Sequence, residues 1–245
     1  KQSAAKDMAA AGLHAAKDAG ARVLIVCNTV DKARAVHEAL KATLPEADHL
    51  SLLIGRSRPL DREHVVADAL TLFGADREPN DRRAILVATQ TVEVGVDLDA
   101  TALVTELASW DALVQRLGRL NRRGLLPSSM AIAFDDGEDK QSVYGPCATR
   151  TGEFLRSLLG ADGTVDVSPL ALRALSVPSD ATLPPTPAAL LLPAHLDAWA
   201  RTSPSPVNDA PIDPYLHGID GGVAAVTIAW RDGLAQASGE RLPAA

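Results

Sequence analysis

The 245-residue chain predicts an α/β fold, a parallel sheet with helices on both faces, followed by a small mixed accessory domain. Three observations carry that expectation. Arg22–Cys27, Ala84–Ala88 and Ala102–Thr105 are short apolar runs of the kind that form strands buried on both faces. Stretches with helical spacing separate such runs, and this alternation requires crossover connections, which build parallel sheets. The texture then changes near residue 150: 11 of the 16 prolines lie in 151–245 and no lysine follows Lys140. The expected division is therefore 1–150 for the sheet domain and 151–245 for a Pro-rich, acidic accessory domain.

Taken in order, a helix over 2–19 closes at Gly20, and the first strand follows at 22–27. Asn28-Thr29 opens a helix that carries Ala33, Val36, Leu40 and Leu44 at helical spacing. Leu50–Ile54 reads as a strand, and a helix begins near Asp61. Ala84–Ala88, Ala102–Thr105 and Met130–Phe134 complete the strands, with a helix over 110–117. Beyond 150 the expectation is a helix over 151–159, a linker at 176–187, a helix near 188–201 and a strand at Val223–Trp230. Ligands of parallel α/β sheets lie beyond the carboxyl ends of the strands. Function is thus expected at 28–29, 55–58, 89–97 and 106–109, with 115–124 closing the site.

A net charge of −7 argues against wholesale binding to a polyanion. Residues 151–245 carry 5 Arg and 10 acids, whereas 1–150 carry 19 basic and 21 acidic groups, so the acidic excess lives in the tail. Cys27 falls in a strand run and reads as a small core residue, Cys147 is distant, and no CxxC suggests a structural metal. No apolar run approaches the ~20 residues that span a bilayer, and nothing resembles a signal peptide, so a cytoplasmic setting without membrane contact is expected. The start at Lys1 without Met suggests a piece of a longer polypeptide.

Two stretches carry chemistry. In Gln115-Arg116-Leu117-Gly118-Arg119-Leu120-Asn121-Arg122, three arginines recur at spacing three with no acid nearby. On one helical face they would converge on a multiply charged anion, and Gly118 would permit close approach or an unusual turn. A solvated basic turn is the alternative. The strand Ala84–Ala88 empties into Thr89-Gln90-Thr91-Val92-Glu93-Val94-Gly95-Val96-Asp97. There Thr89 could offer its hydroxyl and backbone N–H to a phosphate, and Gly95 frees the backbone. Asp97 offers a carboxylate to a sugar hydroxyl or an arginine. A strand with an alternating polar face is the alternative here.

In this order, the two stretches resemble motifs V and VI of superfamily 2 helicases: Ala88-Thr89, Gly95-Val96-Asp97, then Gln115 to Arg122. The resemblance implies a RecA-like domain, the second of two. It implies that Arg119 and Arg122 are fingers reaching ATP with Gln115 beside them, while Gly95, Asp97 and Arg116 lie at the nucleotide. Thr89 and Gln90 would hold the nucleic-acid backbone. Asn28 and Thr29 look like motif IV, and Arg56 and Arg58 sit where related helicases contact the backbone. An N-cap and a basic turn are the alternatives there. The wording Ala88–Asp99 and Gln115–Gly124 resembles the CRISPR-associated helicase-nuclease of type I systems, and among these its I-U (I-G) form, to which the tail around Leu192–Trp199 is also similar, though more weakly. Single-stranded DNA and a guide-RNA surveillance complex are then the implied partners.

None of the six lysines precedes Ser or Thr, so no phosphate-gripping loop is present, and no Asp-Glu-x-His box occurs. ATP and Mg2+ would be held mainly by a first RecA-like domain of the same polypeptide. The chain alone is expected to be inactive. The nuclease of that family is built on His-Asp pairs, and none of His14, His37, His49, His64, His195 or His217 precedes Asp. His195 and His217 read as packing residues, and no metal site is expected. Two other readings stay open: an interaction module with the same fold, or a superfamily 2 helicase outside CRISPR systems.

Overall fold

A computed structural model describes residues 2–18, 20–45, 48–55, 59–74, 77, 82–135, 143–185, 189–201 and 211–217. Arg56, Arg58 and the expected strand at 223–230 lie outside them. The chain divides into two compact units, Lys1–Pro184 and Pro185–Ala245.

The first unit is built on five parallel strands, β1 (Arg22–Val26), β2 (His49–Leu53), β3 (Ala84–Ala88), β4 (Ala102–Glu106) and β5 (Met130–Phe134), in the order β2-β3-β1-β4-β5. The side-chain period of two sends Val23, Ile25 and Cys27 to one face and Leu24 and Val26 to the other. On the first face they meet Ala5, Met8 and Ala9 of α1 (Gln2–Ala15) and Ala33, Val36 and Leu40 of α2 (Val30–Lys41). On the second they meet Ala69 and Phe73 of α3 (Pro59–Phe73), with Val92, Val96 and Leu98 from the connection after β3. Both faces of β1, β3 and β4 are covered, which is why these strand runs are apolar without alternation.

Local chemistry sets the helix starts. Thr29 caps α2 by accepting from Lys32 N at 3.3 Å, while Asp31 and Lys41 complement the helix dipole. Ser109 caps α4 (Trp110–Leu117) by accepting from Ala112 N. The expected helix over 2–19 is shorter by one turn, because the chain turns at Asp18 to Ala21 and Gly20 takes φ 73°.

The break between units falls at 184/185, whereas the division expected at 150/151 cuts through α5 (Pro146–Ser157). That helix belongs to the first unit. Trp110 meets Phe154 edge-on at 5.4 Å, Thr151 is buried, and Arg150 pairs with Asp180 at 2.8 Å. The stretch expected to be a linker is anchored on α5: a 3-10 turn at Ser179–Ala181 buries Ala181, and Cys147 Sγ donates to the Thr182 carbonyl. A short α6 (Pro169–Arg173) lies between.

In the second unit, α7 (Pro193–Trp199) and α8 (Asp213–His217) bring three rings together. His195 stacks on Trp199, and Tyr215 packs against both, its hydroxyl 2.9 Å from His195 Nδ1. His195 is thus a packing and hydrogen-bonding residue here. No helix among the described residues is long and apolar enough to cross a membrane.

Candidate functional site

After β1 the chain leaves toward β2, and after β4 it leaves toward β5, so the connections diverge between β1 and β4. Such a divergence is where open α/β sheets usually leave a ligand crevice. Here side chains of the chain itself fill it. Arg116, at the end of α4, is 0% exposed. Its Nε donates to Glu93 Oε1 at 2.9 Å, Nη1 to Thr105 Oγ1 at 2.9 Å and the Glu106 carbonyl at 3.0 Å, and Nη2 to Asn28 Oδ1 at 2.9 Å and the Tyr144 hydroxyl at 3.1 Å. A guanidinium has five N–H groups, and all five are used. Arg116, expected among the cofactor contacts, thus has all of its donors engaged within the chain.

Asn28 is the hub of the same network. Its backbone N–H meets Glu106 Oε2 at 2.6 Å, its amide nitrogen donates to Leu107 O at 2.7 Å, and its carbonyl accepts from Gln90 Nε2 at 2.9 Å. Lys32 donates to Glu106 Oε1 at 2.9 Å. Asn28 and Gln90, expected to touch nucleic acid, are thus committed to joining the ends of β1, β3 and β4, and the Thr29 oxygen accepts as a helix cap. Two cations and two carboxylates balance inside the network, as a buried polar cluster requires.

The three arginines do not share a helical face. The helix ends at Leu117, and an isolated parallel bridge joins Ala100 to Leu120, with Asn121 in the left-handed region at φ 43°. Gly118 has an ordinary helical φ of −64°, so the unusual backbone expected there falls on Asn121 instead, where asparagine tolerates it. Arg119, 8% exposed, turns back onto the connection after β3. Its Nε donates to the Val92 carbonyl at 3.0 Å and its Nη2 to the Glu93 carbonyl at 2.7 Å. Loss of hydration pushes its pKa down, with Arg122 adding and Asp97 opposing. No bond engages its Nη1 among the described residues. Arg122 is 47% exposed and pairs through Nε with Asp97 Oδ1 at 2.8 Å, Asp97 itself being 61% exposed. Gln115 is exposed on the last turn of α4.

Thr89 follows β3 directly, its backbone N–H bonded to the Leu53 carbonyl at 3.2 Å. The N–H expected to meet a phosphate is therefore taken up by the sheet. The chain leaves Thr89 through a single 3-10 turn, Gln90–Val92, rather than a helix. The Thr89 hydroxyl makes no hydrogen bond among the described residues. Gly95 holds φ 85°, a conformation costly for other residues.

The residues that sequence reasoning passed over are Lys32, Glu93, Glu106 and Tyr144. Glu106 was readable as an acid closing an apolar strand, and Tyr144 as one of only two tyrosines. Nothing local in the sequence pairs either with Arg116. Among the described residues no three His, Cys, Asp or Glu side chains gather to hold a metal ion.

Residues 19–125 match the family model described as CRISPR-associated nuclease/helicase Cas3, C-terminal. The chain is similar to the CRISPR-associated endonuclease/helicase Cas3 of Escherichia coli (strain K12), with 39% identity over 159 residues, 60% of this chain and 18% of that protein. It is also similar to the CRISPR-associated nuclease/helicase Cas3 of Streptococcus thermophilus, with 30% identity over 180 residues, 68% of this chain and 19% of the relative. The crystal structure of T. fusca Cas3-ATP superposes with a TM-score of 0.54 at 27% identity, over 71% of this chain and 22% of that one. The chain spans about a fifth of the length of these proteins. Its fold is RecA-like, and residues 19–125 are a CRISPR-associated Cas3 helicase C-terminal domain of superfamily 2.

Proposed function

We propose that the first unit is the second RecA-like half of an ATP-dependent translocase that moves along single-stranded DNA in type I CRISPR interference. One observation carries this reading. The connection 89–97, which leaves the carboxyl end of β3, carries a Thr89 hydroxyl without a partner among the described residues, and against it lie an anchored Arg119 with Nη1 unused and the exposed Arg122. The T. fusca relative is solved with ATP, and two guanidinium groups suit the charge of a triphosphate.

Bound ATP would supply the free energy of phosphoryl transfer. Arg119, fixed by two carbonyls, would present Nη1 to the terminal phosphate without reorganising, as electrostatic stabilisation requires. Arg122 would leave Asp97, an exposed pair worth only about 0–1 kcal/mol, and join it, freeing Asp97 for a ribose hydroxyl. Gln115 stands beside them, and Gly95 lets the connection bend. Thr89 would donate to a backbone phosphate of the strand, a contact indifferent to sequence. Asn28, Gln90 and Thr29 hold the edge in shape, and Arg56 and Arg58 would extend the strand contact. Among the described residues no three His, Cys, Asp or Glu side chains gather that could hold Mg2+, which would be held by a first RecA-like domain. A first RecA-like domain of the same polypeptide would grip the phosphates, and the chain alone would not turn over ATP.

The strand would be the one displaced by a guide-RNA surveillance complex. The I-U (I-G) subtype is supported by the wording of the two motif segments and, more weakly, by that of the tail. For Pro185–Ala245 an interaction role is the better reading, supported by exposed Leu190, Leu196 and Leu216. The test is Arg119→Ala in the intact polypeptide, expected to lower ATP turnover about 10³-fold with the fold retained. Turnover like that of the wild type would reject the motor reading.

A further inference from the structure

Tyr144 stands outside both segments that carry the proposed function, in the turn before α5 and beyond the residues that the family model matches. It nevertheless joins those segments. Its buried hydroxyl donates to Glu93 Oε1 at 3.1 Å and accepts from Arg116 Nη2 at 3.1 Å, and its ring centroid lies 5.6 Å from the guanidinium carbon. Burial, aided by Glu93 and opposed by Arg116, raises the phenol above its ordinary value, so the hydroxyl keeps the proton that it donates.

Glu93 is held at both of its ends. Its carboxylate meets Tyr144 and Arg116, and its backbone carbonyl receives Arg119 Nη2 at 2.7 Å. Four residues upstream on the same connection is Thr89. An ion pair alone lets a carboxylate slide along the guanidinium edge. A second donor fixed on a packed ring, wedged against Ala108 and Ala112, removes that freedom.

We propose that Tyr144 is a positioning residue that makes the connection 89–97 and the end of α4 move as one piece, coupling strand engagement at Thr89 to the placement of Arg119. This rests on the motor reading above. Without the hydroxyl each segment would still make its own contacts, but a shift at Thr89 would no longer reach Arg119 at full strength. Coupling between sites typically amounts to about 5–150-fold.

The experiment compares Tyr144→Phe with wild type in the intact polypeptide, measuring ATP turnover without and with saturating single-stranded DNA, strand affinity, and thermal unfolding. The expected result is a stimulation factor reduced about tenfold, with basal turnover and strand affinity within about twofold of wild type. An unchanged stimulation factor would overturn the proposal, and so would a proportional fall in basal and stimulated turnover, which would mean a structural role only. Should Tyr144→Phe fail to fold, Tyr144→Leu, which also removes the hydroxyl and keeps an apolar side chain against Ala108 and Ala112, is read in the same assay, and the same outcomes decide. Full turnover in Arg119→Ala would sink the motor reading. A dead Arg119→Ala beside a wild-type Tyr144→Phe would sink only the coupling.

Discussion

Replacing Arg116 by lysine keeps a positive charge at the divergence of β1 and β4 but removes the planar fork. The guanidinium serves five acceptors spread over five residues, each at 2.9–3.1 Å and reached from different directions. A lysine carries three donors on one nitrogen and cannot reach all five. At least two buried acceptors lose their partner, at roughly 1–3 kcal/mol each. Thr105 Oγ1 already donates to the Glu106 carbonyl, which offsets part of the loss. About 2–4 kcal/mol remains, a large share of the ~5–15 kcal/mol that holds a typical domain together. For a domain of this size that corresponds to a fall in Tm of about 5–15 °C. Thermal unfolding followed by circular dichroism measures it, with Arg122→Lys as the exposed control. A fall of less than about 2 °C in Arg116→Lys would mean that fork geometry does not hold the site together.

Two further outcomes test other parts of the structure. A chain ending at residue 150 should unfold at least ~5 °C below one ending at residue 184, because it loses Phe154 from Trp110 and the anchored turn at Ser179–Ala181. Equal unfolding temperatures would restore the boundary at 150. Burial pushes both His37 and His49 below the usual 6.5, aided by Lys41 at the first and by Arg82 at the second and opposed by Glu38 and Asp68 respectively. The unfolded chain therefore takes up protons first, so stability is full above pH 6.5 and declines as the pH falls below it. The urea midpoint should drop between pH 7.5 and 5.5 and drop less in His37→Gln/His49→Gln; a midpoint that rises on acidification would refute the assignment.

The order of strands and helices was legible because the central strands β1, β3 and β4 are short, largely apolar and covered on both faces, and the edge strands β2 and β5, though partly exposed, are short runs of the same kind. Such runs admit few alternatives once helical spacing separates them. The ends of elements were less legible. Whether a helix stops at Ala15 or runs on through Lys17 depends on a turn closed by Asp18 and Gly20, which no apolar spacing records. The boundary at 150 followed from proline content, yet proline says where helices start and stop, not which helix packs on which core. Phe154 and Ala181 find their partners, Trp110 and α5, by shape.

The site divided along the same line. Segments 89–97 and 115–122 were recognisable as wording, and the parallel topology brings them into contact. The direction of each guanidinium was not recognisable. Spacing of three implied one shared face, but a face exists only while the helix continues, and it stops at Leu117.

The linear chain by itself therefore determined the class of fold and the pair of segments at its working edge, because burial on two faces and crossover connection act on local patterns. Only the tertiary structure decided that Arg116 is consumed internally, that Arg119 is anchored on two carbonyls with one nitrogen to spare, and that Arg122 stays at the surface. Those outcomes depend on which acceptors lie within about 3 Å of each donor. The acceptors come from Asn28, Val92, Glu93, Thr105, Glu106 and Tyr144, residues that meet only when the sheet has formed.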